Sequence, residues 1–66
     1  MQVIVNGEPM TLADASSVAD LLNQLTLTGR RIAVEVNLEI VPRSQHDQHR
    51  LREGDRVEVV GAIGGG

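Results

Sequence analysis

A chain of 66 residues with no phenylalanine, tyrosine or tryptophan must build its whole core from aliphatic side chains. A domain near this size buries only about 60% of the surface its unfolded chain exposes, so the margin is thin. Valine, isoleucine, leucine, alanine and methionine have to fill the interior, and the β-branched ones among them favour pleated strands. Hydrophobic residues make up 41% of the chain, an ordinary globular share that argues against disorder. There is room for one domain and no second.

The opening Met1-Gln2-Val3-Ile4-Val5 reads as a strand. Period-two alternation puts Met1, Val3 and Val5 on one face, with Gln2 and Ile4 on the other. Asn6-Gly7 tolerates the positive φ angles of a two-residue hairpin turn. Residues 8–12 then return as a strand, and Pro9 marks it as an edge because proline cannot donate to a ladder.

Ser17-Val18-Ala19-Asp20 has the form of a capping box, with Asp standing in for Glu at the fourth position. Val18, Leu21, Leu22 and Leu25 fall at i, i+3, i+4 and i+7 on one helical stripe. Gly29 is the expected end of that segment. A helix of about two to three turns cannot persist alone and needs a sheet to pack on. Residues 32–36 form the next strand, Asn37-Leu38 a turn, and residues 39–41 a short strand closed by Pro42. Residues 43–52 are polar, with room for one helical turn and with Leu51 as the strong core candidate. Glu53-Gly54-Asp55 turns into a last strand, 56–60. This order predicts an α+β domain over residues 1–60, with one main helix on one face of a four- or five-stranded sheet. A flexible tail, 61–66, follows.

Several function classes drop out. The formal charge of −3 and pI near 5.1 oppose binding to nucleic acid or an anionic membrane, and no aromatic is present to stack on a base. No long apolar run or basic leader is visible, so the cytoplasm is the expected compartment. Cysteine is absent, which removes disulfides, thiolate metal sites, persulfides and cysteine nucleophiles together. All six basic residues are arginine, so no side-chain amine can form a Schiff base or accept an isopeptide bond.

The tail is Gly61-Ala62-Ile63-Gly64-Gly65-Gly66. Glycine-rich ends are commonly disordered, and taken alone that is the plainer reading. Here, however, the glycines follow directly on a strong strand and include Ile63, which a solubilising tail does not need. Glycine has no Cβ, so such an end can thread a narrow channel and bring backbone close to a reacting group. Six extended residues reach at most about 20 Å, enough to place a terminal carboxylate deep in a partner. Adenylation by ATP would give that carboxylate a leaving group, which sulfide or a persulfide could displace. The carrier would need no catalytic residue of its own.

These residues resemble a known family. Met1-Gln2-Val3-Ile4-Val5-Asn6-Gly7, Val18-Ala19-Asp20-Leu21-Leu22, Val34-Glu35-Val36-Asn37, Ile40-Val41-Pro42-Arg43, Gly54-Asp55-Arg56-Val57-Glu58-Val59-Val60 and the Ala62-Ile63-Gly64-Gly65-Gly66 end are similar to the ThiS family, the sulfur carriers of thiamine biosynthesis. The similarity covers essentially the whole chain and departs at Gly64, where the family often has alanine. It implies a β-grasp (ubiquitin-like) fold with parallel first and last strands and a tail leaving from mid-sheet. It implies activation of Gly66 by an E1-like adenylyltransferase (ThiF-like) that uses ATP, with no cofactor bound by the carrier. A thiocarboxylate at Gly66 would then pass sulfur to thiazole synthase (ThiG-like). Gly64, Gly65 and Gly66 would thread into the partner. Ile63, and Ile4 on the face away from the helix, would contact it. Alternatives are a MoaD-like carrier for molybdopterin or tRNA thiolation, a conjugating modifier, and a ubiquitin-like interaction module with an inert tail. Shorter length and the lack of aromatics favour ThiS over MoaD.

Two further groups carry chemistry-bearing side chains. His46 and His49, at i and i+3 around Asp47, could share a helical face, but a metal site needs further fixed ligands. They are expected to be solvated. Ser44 beside His46 lacks the orienting acid and oxyanion donors that a nucleophile requires. Arg43, Arg50 and Arg52 read as a solvated loop or as a docking site for an acidic partner.

Overall fold

The computed structural model describes residues 1–27 and 31–61. Its strands are β1 (Gln2–Val5), β2 (Glu8–Thr11), β3 (Ile32–Val36), β4 (Glu39–Val41) and β5 (Arg56–Gly61), with one helix, α1 (Val18–Gln24). They form a single five-stranded sheet in the order β2-β1-β5-β3-β4. Only β1 and β5 run parallel; the other neighbours are antiparallel. The last strand therefore lies at the centre of the sheet, as expected.

Each hairpin is closed by two consecutive residues at positive φ, the condition for a turn whose twist matches the strands. In the first these are Asn6 (φ 50°) and Gly7 (φ 86°), and in the second Asn37 (φ 52°) and Leu38 (φ 72°). The proline-bearing β2 is an edge strand, so Pro9 leaves no central ladder bond unmade.

Alternation along β1, β3 and β5 sends Val3, Val5, Val34, Val36 and Val57 to one face, where all five are buried. Val18, Leu21 and Leu22 of α1 are buried in the same core, joined by Leu12, Val41 and Leu51. Aliphatic side chains fill this core, with Ser17 and His46 as the buried polar residues at its edge.

The N-terminus of α1 is satisfied in full. Ser17 Oγ accepts from the Asp20 N–H at 3.0 Å, and Asp20 Oδ2 accepts from the Ser17 N–H at 2.9 Å. The two remaining first-turn amides donate outside the helix, Val18 to the His49 carbonyl and Ala19 to that of His46. The polar segment after β4 thus serves as a helix cap.

Two expectations need correction. The helix has seven residues and stops at Gln24, well before Gly29, which lies outside the described residues. Thr26 takes φ 57°, and the N–H groups of Thr26 and Leu27 turn back to the carbonyls of Asn23 and Leu22. This reversal is usually built on glycine, so a β-branched residue concealed it. His46 is also not solvated: it is 8% exposed, and its Nε2–H donates to the Val41 carbonyl at 3.0 Å. A 3-10 turn at Arg43–Gln45 folds the histidine beneath the end of β4. His49 is half-buried, and among the described residues no group of three or more His, Cys, Asp or Glu could hold a metal.

Candidate functional site

The site has two parts: the end of β5, from which the tail departs, and the sheet face that α1 does not cover. Asn6 locks the first. Its Oδ1 accepts from the Val59 N–H at 2.8 Å and its Nδ2 donates to the Val59 carbonyl at 3.2 Å. A side-chain amide so takes the place of one more backbone residue and extends the β1–β5 ladder past the end of β1. On the other side, Ile32 pairs with Gly61 and Ala33 with Val60. β5 continues one residue beyond the expected boundary at 60; it is held from both flanks up to Val59 and by β3 through Val60 and Gly61.

Asn37 anchors the start of the same strand. Its Oδ1 accepts from the Arg56 N–H and its Nδ2 donates to Asp55 Oδ1, both at 3.0 Å. Two asparagines that begin hairpin turns therefore also fix β5 in place. Sequence reasoning assigned them only to turns; their tertiary role had no local signal.

On the uncovered face, Ile4 lies between Pro9 of β2 and Arg56 of β5 and is half-buried. Its orientation is the one expected from alternation with Val3 and Val5. Nearer the tail, Val60 stands opposite Ala33, Glu58 opposite Glu35, and Ile40 opposite Glu35 from β4. Val60 is 61% and Ile40 74% exposed, and Leu38, in the adjoining turn, reaches 86%. These three are more open apolar anchors than Ile4, and sequence reasoning missed them. For Val60 the signal was present, since Arg56, Glu58 and Val60 share a parity in β5. Ile63, Gly64, Gly65 and Gly66 lie outside the described residues.

Among the described residues, Ser44 and His46 do not form a nucleophile–base pair. Ser44 is exposed while His46 is buried and hydrogen-bonded elsewhere. Among the described residues, the one carboxyl held below its ordinary range is that of Asp20. The Ser17 backbone N–H is the main cause, followed by the Ser17 hydroxyl, with the Arg50 charge adding to both. That is a helix cap, remote in role from the tail.

The sequence profile of the ThiS family matches residues 3–66. The chain belongs to the ThiS family. It is 36% identical to the sulfur carrier protein ThiS of Escherichia coli K12 over the full length of both. The crystal structure of the thiamine biosynthesis protein ThiS from Geobacter metallireducens superposes with a TM-score of 0.84 at 35% identity, again covering both chains completely. The fold is accordingly the β-grasp expected of ThiS. The chain is a sulfur carrier of thiamine biosynthesis and not itself a catalyst. A third relative differs in size: a thiazole synthase of Paramagnetospirillum magneticum matches all 66 residues at 42% identity. This chain spans only 20% of that synthase's length. There, a ThiS-like stretch and a thiazole synthase share one polypeptide.

Proposed function

We propose that the carboxylate of Gly66 is the group that carries the sulfur. A ThiF-like, E1-type adenylyltransferase binds the carrier together with ATP. A Gly66 carboxylate oxygen attacks the α-phosphorus, the bond to the β-phosphate oxygen breaks, and pyrophosphate leaves. Hydrosulfide then attacks the acyl carbon of the adenylate, AMP departs with the electron pair of the broken C–O bond, and a thiocarboxylate remains. A ThiG-like thiazole synthase receives that sulfur in the cytoplasm. The carrier holds no cofactor; ATP is the partner's substrate. Gly64 and Gly65 thread the channel, while Ile63 and Ile4 contact the activating enzyme.

The observation that carries this reading is a family match running to residue 66 in a chain with no cysteine to hold sulfur elsewhere. The fused synthase relative supports the choice of sulfur acceptor, since joined chains keep donor and acceptor at high effective concentration. The test is incubation with ATP, a ThiF-type enzyme and sulfide, followed by intact-mass and fragment analysis. The expected product gains the mass of one oxygen-to-sulfur exchange, located on Gly66. Removing Gly65 and Gly66 shortens the reach by about 7 Å and should abolish pyrophosphate release while leaving thermal stability nearly unchanged. Sulfur on an internal peptide, or normal activation of the shortened chain, would overturn the assignment.

A further inference from the structure

The face of the sheet turned away from α1 contains an arrangement that folding alone does not favour. Glu35 of β3 and Glu58 of β5 are direct cross-strand partners. Like charges placed opposite one another destabilise a sheet. Among the described residues neither glutamate makes an ion pair, although Arg56 shares their face two positions along β5. The two carboxylates are framed by exposed apolar side chains that no described element covers: Val60 and Ala33 on the tail side and Ile40 on the β4 side. Glu35 is half-buried and Glu58 exposed, so both lie at a surface a partner can reach.

We infer that this face docks on the rim of the adenylyltransferase's tail-receiving site, with an arginine of that enzyme seated between Glu35 and Glu58 and apolar side chains against Val60 and Ile40. The inference rests on the carrier reading above. Charge complementarity selects the occupant. An enzyme site that must hold the ATP phosphates and also admit a carboxylate is built from cationic groups, so its rim is positive. Gly66 is the sixth residue after Val60, a span of at most about 20 Å. A surface at the root of the tail therefore meets the enzyme close to that positive field. A guanidinium presents two edges of N–H donors, which suits a site with a carboxylate on either side, whereas an ammonium offers one compact charge. The flanking apolar residues exclude water and strengthen the ionic contact.

The test pairs stability with binding in the double variant Glu35→Gln/Glu58→Gln. Relief of the opposed charges raises its Tm above that of the unchanged chain. Its Kd for the ThiF-type enzyme, measured by calorimetry without ATP, rises roughly tenfold or more, the size expected for losing a charge-assisted contact. The salt dependence of binding also becomes shallower. A higher Tm with an unchanged Kd would overturn the docking proposal, as would a salt dependence equal to that of the unchanged chain. The two readings fail separately. Missing sulfur on Gly66 of the unchanged chain counts against the carrier chemistry, whereas undiminished binding by the variant counts against the acidic pair.

Discussion

The two faces of the sheet follow different rules. Toward α1 every choice serves the fold: Val3, Val5, Val34, Val36 and Val57 are buried and interlock with Leu21 and Leu22. Away from α1, local rules are broken. Two glutamates oppose each other, Ile40 and Val60 stand in solvent, and Leu38 holds a positive φ while 86% exposed. Left-handed backbone alone does not separate the two sides, since Ala15 and Thr26 adopt it around the helix. The distinction is in what the side chains meet. A protein close to its stability threshold tolerates such departures where another function requires them.

The sharpest way to break this comparison uses two neighbours in β1. Val3 is fully buried, and Ile4 points the other way. Val3→Asp places a carboxylate in an aliphatic core at a cost of several kcal/mol, comparable to the whole stability of a small domain. It should unfold the chain, as seen by loss of the circular dichroism transition. Ile4→Asp should leave the domain folded, cost about 1 kcal/mol, and weaken binding to the adenylyltransferase. If Ile4→Asp also unfolds the chain, both faces are core and the division fails.

Much of this division was legible in the sequence. Val3 and Val5 alternating with Ile4, the Asn6-Gly7 turn and the Ser17–Asp20 cap are local signals, because strand parity and turn chemistry act between near neighbours. The illegible parts depend on pieces distant in the chain. Glu35 meets Glu58 only through the β3–β5 register, and His46 is buried only because its segment caps α1 and the end of β4. Thr26 misled for another reason: it adopts a conformation its side chain disfavours. Of the candidate site, the tail was legible in composition. The apolar anchor Ile40 required the sheet, whereas Val60 shared a strand parity with Arg56 and Glu58 that was already readable in the sequence.

A smaller effect concerns what keeps the inner face covered. The capping box holds α1 in place, and Ser17→Ala should cost about 1 kcal/mol. Asp20 adds a pH signature. Its pKa is depressed in the folded state by the Ser17 bonds, so its contribution is present above the ordinary carboxylate range and is lost as pH falls through the lowered value. Denaturant midpoints of the unchanged chain and Asp20→Asn should therefore differ at neutral pH and converge in acid. A constant offset at all pH values would show that the carboxylate's charge does not matter to the cap. The outer face should be indifferent to this change, and partner binding at neutral pH should follow only the folded fraction.

The smallest effect lies in the second hairpin turn, where Leu38 occupies the position that Gly7 fills in the first. Both residues have positive φ, 72° and 86° respectively. A left-handed conformation costs a residue with a Cβ roughly 1–2 kcal/mol, whereas glycine loses about 0.5–1 kcal/mol more backbone entropy on folding. Leu38 is too exposed for packing to offset that strain. Leu38→Gly should therefore gain about 0.5 kcal/mol, a rise of a few degrees in Tm for a domain of this size. A leucine kept at such a cost is accounted for if it contacts a partner, in which case the same variant binds the adenylyltransferase more weakly while melting later. Later melting with undiminished binding would confine the docking surface to β5, β3 and β4 and leave the turn outside it. Earlier melting would mean that Leu38 supports the fold after all, and the contrast between the two faces would end at the strands.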